Sequence, residues 1–157
     1  YDPRNREGDN MKRLCIIYLD YLNMLEHYIN KIVHYGMFDS KPNSYENVMF
    51  YSMLVSNLFN DMIFELFLDK CIINHNVDGD ECLLNDYRIS SIIVQNNKGT
   101  QLVFIVSSMF EFKNIDLFDS IKTDYLTVEK GEKDGDFHEY RFSFDLLKCH
   151  NSQQPND

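Results

Sequence analysis

Alanine and tryptophan are absent from this 157-residue chain, and glycine (6), proline (3) and arginine (5) are sparse. Alanine is ordinarily among the commonest residues and is the best helix former, so folding gives no reason to exclude it. The missing residues have GC-rich codons; those in excess, 16 Asn, 13 Ile, 12 Phe and 10 Tyr, have AT-rich ones. The bias points to an AT-rich genome, such as that of a large DNA virus, a phage, a protozoan or a low-GC bacterium, and says nothing of mechanism.

Other absences narrow the function classes. No apolar run approaches the ~18 residues of a membrane span. Met11-Lys12-Arg13 followed by Leu14–Leu19 has the opening of a signal peptide, but Asp20 interrupts the apolar stretch and the helical pattern runs on past it. The first residue is Tyr, so a processed chain, a fragment or foreign residues before Met11 are expected. The four cysteines, Cys15, Cys71, Cys82 and Cys149, follow no secreted framework, and no Asn-X-Ser/Thr sequon occurs. A chain this long buries roughly 70% of its unfolded surface and needs no staple, so free thiols in an intracellular compartment, cytoplasmic or nuclear, are expected.

Basic residues are also short: the net charge is −10. That disfavours nucleic-acid phosphates, which call for clustered Lys and Arg, and anionic membranes. Residues 1–78 carry 11 acids and 7 bases and residues 79–157 carry 14 and 8. An excess spread this evenly reads as a solvated surface rather than a mimic of DNA.

What is present is a change of hydrophobic rhythm near residue 85. Leu14, Tyr18, Tyr21, Leu25, Tyr28, Ile32 and Tyr35 recur at alternating steps of four and three, predicting a helix over about Asn10–Tyr35. Leu22 and Ile29 widen its stripe, and Asp20, Asn23, His27, Asn30 and His34 form the polar side. Gly36 stands where a C-terminal cap is expected. The short link Met37–Pro42 predicts an antiparallel return helix over 44–72, with Asn43 and Glu46 as a capping box. Its polar positions reduce to a narrow line, chiefly Ser56, Asn57, Asn60, Asp61, Glu65 and Asp69, so a wide apolar surface needs a cover, and the sheet is the candidate.

That sheet is predicted from period-two segments at Tyr87–Gln95, Leu102–Lys113, Asp124–Lys130 and Phe137–Leu147, with Asn96-Asn97-Lys98-Gly99 as a hairpin loop. The second segment is apolar on both faces and suits a central position. In the fourth, Tyr140, Phe142, Phe144 and Leu146 point one way and Glu139, Arg141, Ser143 and Asp145 the other, which pins its register. Residues 114–123 read equally as a helical turn or a loop. The expected fold is α+β: an N-terminal antiparallel helical hairpin on one face of a four-stranded, mostly antiparallel sheet. Residues 1–10 are expected to be frayed or foreign, 11–150 a single domain and 151–157 a disordered tail.

No chemical motif outweighs its plain structural reading. Asn74–Asp80 imitates a calcium loop, but position twelve is Asn85 rather than a bidentate Glu. Cys71, His75 and Cys82, with Cys149 or His150 far away, give half of a zinc pattern. Asp61, Glu65 and Asp69 line a helix face without the Glu-x-x-His pairs of a two-metal centre. Ser107-Ser108 has no nucleophile motif, although a triad assembled from distant residues would leave none. No catalytic residue, metal ligand or cofactor is therefore assigned.

The expectation is a non-enzymatic protein–protein interaction module of the small regulatory or host-targeting kind used by viruses and parasites. Its partner is a protein, one with a basic surface fitting the charge, rather than nucleic acid or membrane. Tyr18, Tyr21, Tyr28 and Tyr35, rings with polar tips on one helix stripe, are the candidate interaction residues, and they also suit a homo-oligomer. The alternative is a small-ligand carrier or enzyme with an apolar pocket between helices and sheet, lined by Phe110, Phe112, Tyr140 and Phe142 with His138 as the polar group. An exposed apolar patch of several hundred Å² favours the first; a cavity of roughly 300 Å³ or more favours the second.

Overall fold

A computed structural model describes residues 3–39, 41–68 and 87–152 of the chain. Helix α1 (Pro3–Val33) begins at Pro3 rather than near Asn10, inside the segment expected to be frayed. Gly8 costs a helix only about 1 kcal/mol, too little to stop one already nucleated by packed turns downstream. Tyr18, Leu22, Leu25, Ile29 and Val33 are at most 1% exposed and form the line that faces the core. Gly36 is not a left-handed cap. α1 passes into a π turn, His34–Phe38, and the chain becomes extended at Asp39. A Cβ at Gly36 would stand 3.6 Å from Val48 of the returning helix, so the link passes close to its neighbour.

Helix α2 (Ser44–Met62) runs back beside α1 and ends in a second π turn, Ile63–Phe67. The expected capping box does not form. Asn43 sits at φ −90°, ψ 5° rather than in the extended region an N-cap needs, and its side chain makes no cap bond. The part of the expected helix beyond Leu68 lies outside the described residues.

Strands β1 (Tyr87–Asn96), β2 (Gly99–Ser108), β3 (Leu126–Lys130) and β4 (His138–Asp145) form one sheet in the order β1-β2-β4-β3, every ladder antiparallel. Asn96 pairs with Gly99 across the predicted hairpin, and Gly99 takes φ +115°, which favours glycine. β2 is central, as its two apolar faces suggested. Phe104 and Val106 of β2 and Tyr140, Phe142 and Phe144 of β4 are buried against the helices. Phe59 of α2 stacks on Phe104 at 4.1 Å and meets Phe142 edge-on at 5.0 Å, which makes the helix–sheet seam largely aromatic.

Three boundaries shift from the sequence reading because a particular hydrogen bond or side-chain burial outcompetes the alternation. β2 stops at Ser108, not Lys113. The following segment crosses to the end of α2, where Lys113 N–H donates to Phe67 O (2.9 Å) and Asn114 Nδ2 to Leu66 O (2.6 Å). These bonds satisfy carbonyls that a helix end leaves orphaned, and Asn114 adopts φ 58° to make its own. Residues 114–123 hold a short helix, α3 (Asp116–Ser120), whose Leu117 is buried. β3 begins at Leu126 because Tyr125 turns inward, 7% exposed, while its carbonyl accepts Asp145 N–H at 2.8 Å. β4 ends at Asp145, whose Oδ1 accepts Lys148 N–H at 3.0 Å and caps helix α4 (Leu146–Ser152). Leu146 and Cys149 of α4 are buried against the core, so Asn151 and Ser152 belong to a helix. Residues 153–157 lie outside the described residues.

Candidate functional site

The tyrosine stripe does not form an exposed surface. Tyr18 is 1% exposed, edge-on to Phe67 at 5.8 Å, and can touch no partner while the chain is folded. Tyr21 and Tyr28 of α1 and Tyr35 of the π turn recur at seven-residue spacing on the flank that faces α2. Tyr21 Oη donates to Glu65. Tyr28 and Tyr35 each stack on Tyr51 with centroids 5.9 Å apart. All three are half-buried, with their rings committed to the hairpin. Burial pushes the Tyr18 and Tyr21 hydroxyls above the ordinary tyrosine range; Tyr125 adds to the first shift and the bond to Glu65 to the second. His27 of α1 and His34 of the π turn are exposed, with their rings against Tyr28 and Tyr35.

The residues expected to line a pocket are mostly spent in packing. Phe112 stacks on Tyr140 at 3.8 Å and 8°, and its N–H donates to Tyr140 Oη at 3.1 Å. Phe142 is fully buried among Phe59, Phe112 and Phe118. Phe110 points away from them and is 44% exposed, because β2 has already left the ladder. His138 is half-buried at the start of β4, paired with Ser108. The Ser108 hydroxyl accepts Phe110 N–H at 3.1 Å, a turn contact.

Sequence reasoning missed the surface that the described residues leave uncovered. The sheet and α1 cover the second half of α2, where Val55, Phe59 and Met62 are at most 1% exposed. Over the first half, Tyr45 (73% exposed), Met49 (50%), Phe50 (56%) and Met53 (63%) face solvent. They occupy one arc of the helix by the i, i+4, i+8 rule, with Glu46 beside them. A signal was available. Tyr45, Met49, Phe50 and Met53 fall on one arc of the early turns and Val48, Tyr51 and Val55 on another, with Glu46, Asn47 and Ser52 as the interspersed polar residues, and a one-sided cover cannot bury both arcs.

Among the described residues, two clefts that lie elsewhere bear on the pocket reading. One, of about 290 Å³, runs beside α3 and β3 and is lined by Tyr18, Phe118, Lys122, Thr123 and Val128 among others. The other is a shallow hollow of about 610 Å³ on the outer sheet face, where Val103 and Ser143 lie among Lys98, Glu129, Arg141 and Lys148. Among the described residues no group of three or more His, Cys, Asp or Glu could hold a metal, and no helix is long and apolar enough to cross a membrane. The calcium-like loop 74–80, Cys71, His75, Cys82 and Asp69 lie outside the described residues. The chain matches no protein family, no curated protein and no solved structure.

Proposed function

We propose that the protein acts by binding another protein through the uncovered face of α2. One observation carries this reading: Tyr45, Met49, Phe50 and Met53, all at least half exposed, sit side by side on a single helix face. Exposed apolar residues scattered singly are normal, whereas a contiguous group marks an interaction surface. Methionine and aromatic side chains are enriched at such surfaces because they are large and conform to a partner's shape. With a net charge of −10, the chain is drawn to a partner whose own apolar patch is rimmed by Lys and Arg, and that attraction governs encounter and specificity more than affinity.

The test begins with a photo-crosslinking residue at position 49, used to identify the partner in the native source. The purified partner is then titrated against the wild-type chain, Met53→Glu, and Thr127→Glu, the last on the exposed outer face of the sheet. A hot-spot residue at the centre of the interface predicts at least a tenfold higher Kd for Met53→Glu and an unchanged Kd for Thr127→Glu. Raising the salt concentration should weaken the wild-type complex. Binding that ignores Met53→Glu and is lost in Thr127→Glu would move the site to the sheet and overturn the proposal.

A further inference from the structure

The two edges of the sheet are built differently. β3, at one edge, has five residues and ends in exposed Glu129 and Lys130, two of the devices by which natural sheets keep an edge from pairing. β1, at the other, has ten residues, each paired to β2 on one side. Among the described residues no strand pairs with its other side. Its sequence, Tyr-Arg-Ile-Ser-Ser-Ile-Ile-Val-Gln-Asn, contains one charge and no proline. Ile93 (61% exposed) and Ile92 (46%) stand at its middle on opposite faces. An apolar residue on each face is the pattern of an interior strand, placed here at an edge.

We infer that β1 pairs antiparallel with β1 of a second copy, joining two four-stranded sheets into one of eight strands about a twofold axis. The occupant follows from charge and register. Two copies each carry a net charge of −10 and repel overall, so a seam between them must be poor in acid. Along β1 the only charge is Arg88, so approach there sets no acid against acid. In a register centred on Ser91, Ile89 of one copy faces Ile93 of the other, Ser90 faces Ile92 and Arg88 faces Val94. Opposed residues then share a face, as antiparallel pairing demands, apolar side chains meet across the seam, and no charge meets its like. A second copy also supplies a strand of the right length and pattern without any further component.

The experiment is sedimentation equilibrium of the full chain from 1 to 200 µM, a range suited to weak association, with circular dichroism to confirm folding. The variants are Ile93→Lys, Ser91→Lys and Met53→Glu. Positions 91 and 93 are already exposed, so a lysine at either leaves the protomer fold intact while protecting the edge; the two serve as duplicates in case one misfolds. The expected result is a wild-type species at twice the chain mass, at least tenfold weaker dimerisation in the lysine variants, and a dimer unchanged in Met53→Glu. A wild-type chain that stays monomeric throughout overturns the inference. So does a dimer indifferent to both lysines, or one lost in Met53→Glu alone, which would place self-association on α2. Because the variants separate the two surfaces, failure at β1 leaves the α2 reading standing, and the reverse.

Discussion

Phe50 and Phe59 lie nine positions apart on the same helix and differ only in what surrounds them, so replacing each with alanine isolates the contribution of the helix–sheet seam. Phe59 is fully buried, stacked on Phe104 at 4.1 Å and edge-on to Phe142 at 5.0 Å. Truncating a buried phenylalanine costs about 3–5 kcal/mol, through lost transfer free energy and the cavity left behind. The two ring contacts, each worth about 0.5–1.5 kcal/mol beyond the buried area, keep Phe59→Ala off the lower end of that range, at about 4 kcal/mol. For a domain of this size that lowers Tm by roughly 12 °C, at about 3 °C per kcal/mol. Phe50 is 56% exposed and touches Tyr51 edge-on at 5.3 Å, so Phe50→Ala should stay within about 0.5 kcal/mol of the parent. Alanine's better helix propensity favours both variants equally and cancels in the comparison. Urea unfolding followed by circular dichroism gives both values from midpoints at a common slope. If the two variants lie within about 1 kcal/mol of each other, α2 does not rest on the sheet as described. The pair also separates stability from binding, since Phe50→Ala should weaken partner binding while leaving the fold almost untouched.

Two further outcomes are expected. Asn114→Ala should cost about 2 kcal/mol in urea unfolding, because it leaves Leu66 O without its 2.6 Å donor and forces alanine to hold φ 58°; Asn114→Gly removes the strain but not the lost bond and should fall between alanine and the parent. Burial raises the Cys149 thiol above its ordinary 9.0 and the Tyr18 and Tyr125 hydroxyls above 10.0, with Glu26 adding to the shifts at Cys149 and Tyr125. The folded chain therefore keeps protons that the unfolded chain releases, so this stability is whole below pH 9 and declines above it, by about 1.4 kcal/mol per pH unit for each group passed. The urea midpoint should fall from pH 9 upward and faster beyond pH 10, and a flat midpoint to pH 10.5 would refute the burial of these groups.

The parts of this fold that show in the sequence are those where one period persists over many residues. β4 alternates without interruption from Tyr140 to Phe144, and a one-residue slip would drive Arg141 into the core, so the alternation alone assigns its two faces. The same holds for α1, although its core line runs through Leu22 and Ile29 and places Tyr21, Tyr28 and Tyr35 on the flank that meets α2. A stripe read from one helix cannot say which neighbour covers which edge. The boundaries escaped for another reason. β2 ends where Asn114 reaches a carbonyl 48 residues earlier in the chain, and no local pattern records a bond that distant. Asp145 was readable in principle: an acid directly before Leu-Leu-Lys is an N-cap, but the alternation of β4 runs through it and masks the change of period. The pocket residues went astray because an aromatic cluster and an aromatic-lined cavity have the same sequence. Only the 3.8 Å stack of Phe112 on Tyr140 separates a filled interior from an empty one.

The exposed face of α2 follows from a mismatch of lengths. A 19-residue helix extends about 28 Å at 1.5 Å per residue, and its buried residues begin, apart from Ser44, only at Val55. Some eleven residues, about 16 Å of helix, therefore stand clear of the sheet. Polar residues there would keep the overhang soluble without affecting the core, as Ser56, Asn57 and Asp61 do further along. Retaining Tyr45, Met49, Phe50 and Met53 instead leaves large apolar groups in water, and covering one of them, half to three-quarters exposed as they are, removes an unfavourable hydration of about 1–2 kcal/mol. The exposed arc of the overhang, opposite the Tyr51 ring that stacks on Tyr28 and Tyr35, gives the protomer little stability, as the small effect expected of Phe50→Ala expresses, so its apolar character is best accounted for by a surface that covers it. Should substitution of these four residues by serine leave every association of the protein unchanged, the overhang would be a by-product of composition and the binding site would have to be sought on the sheet.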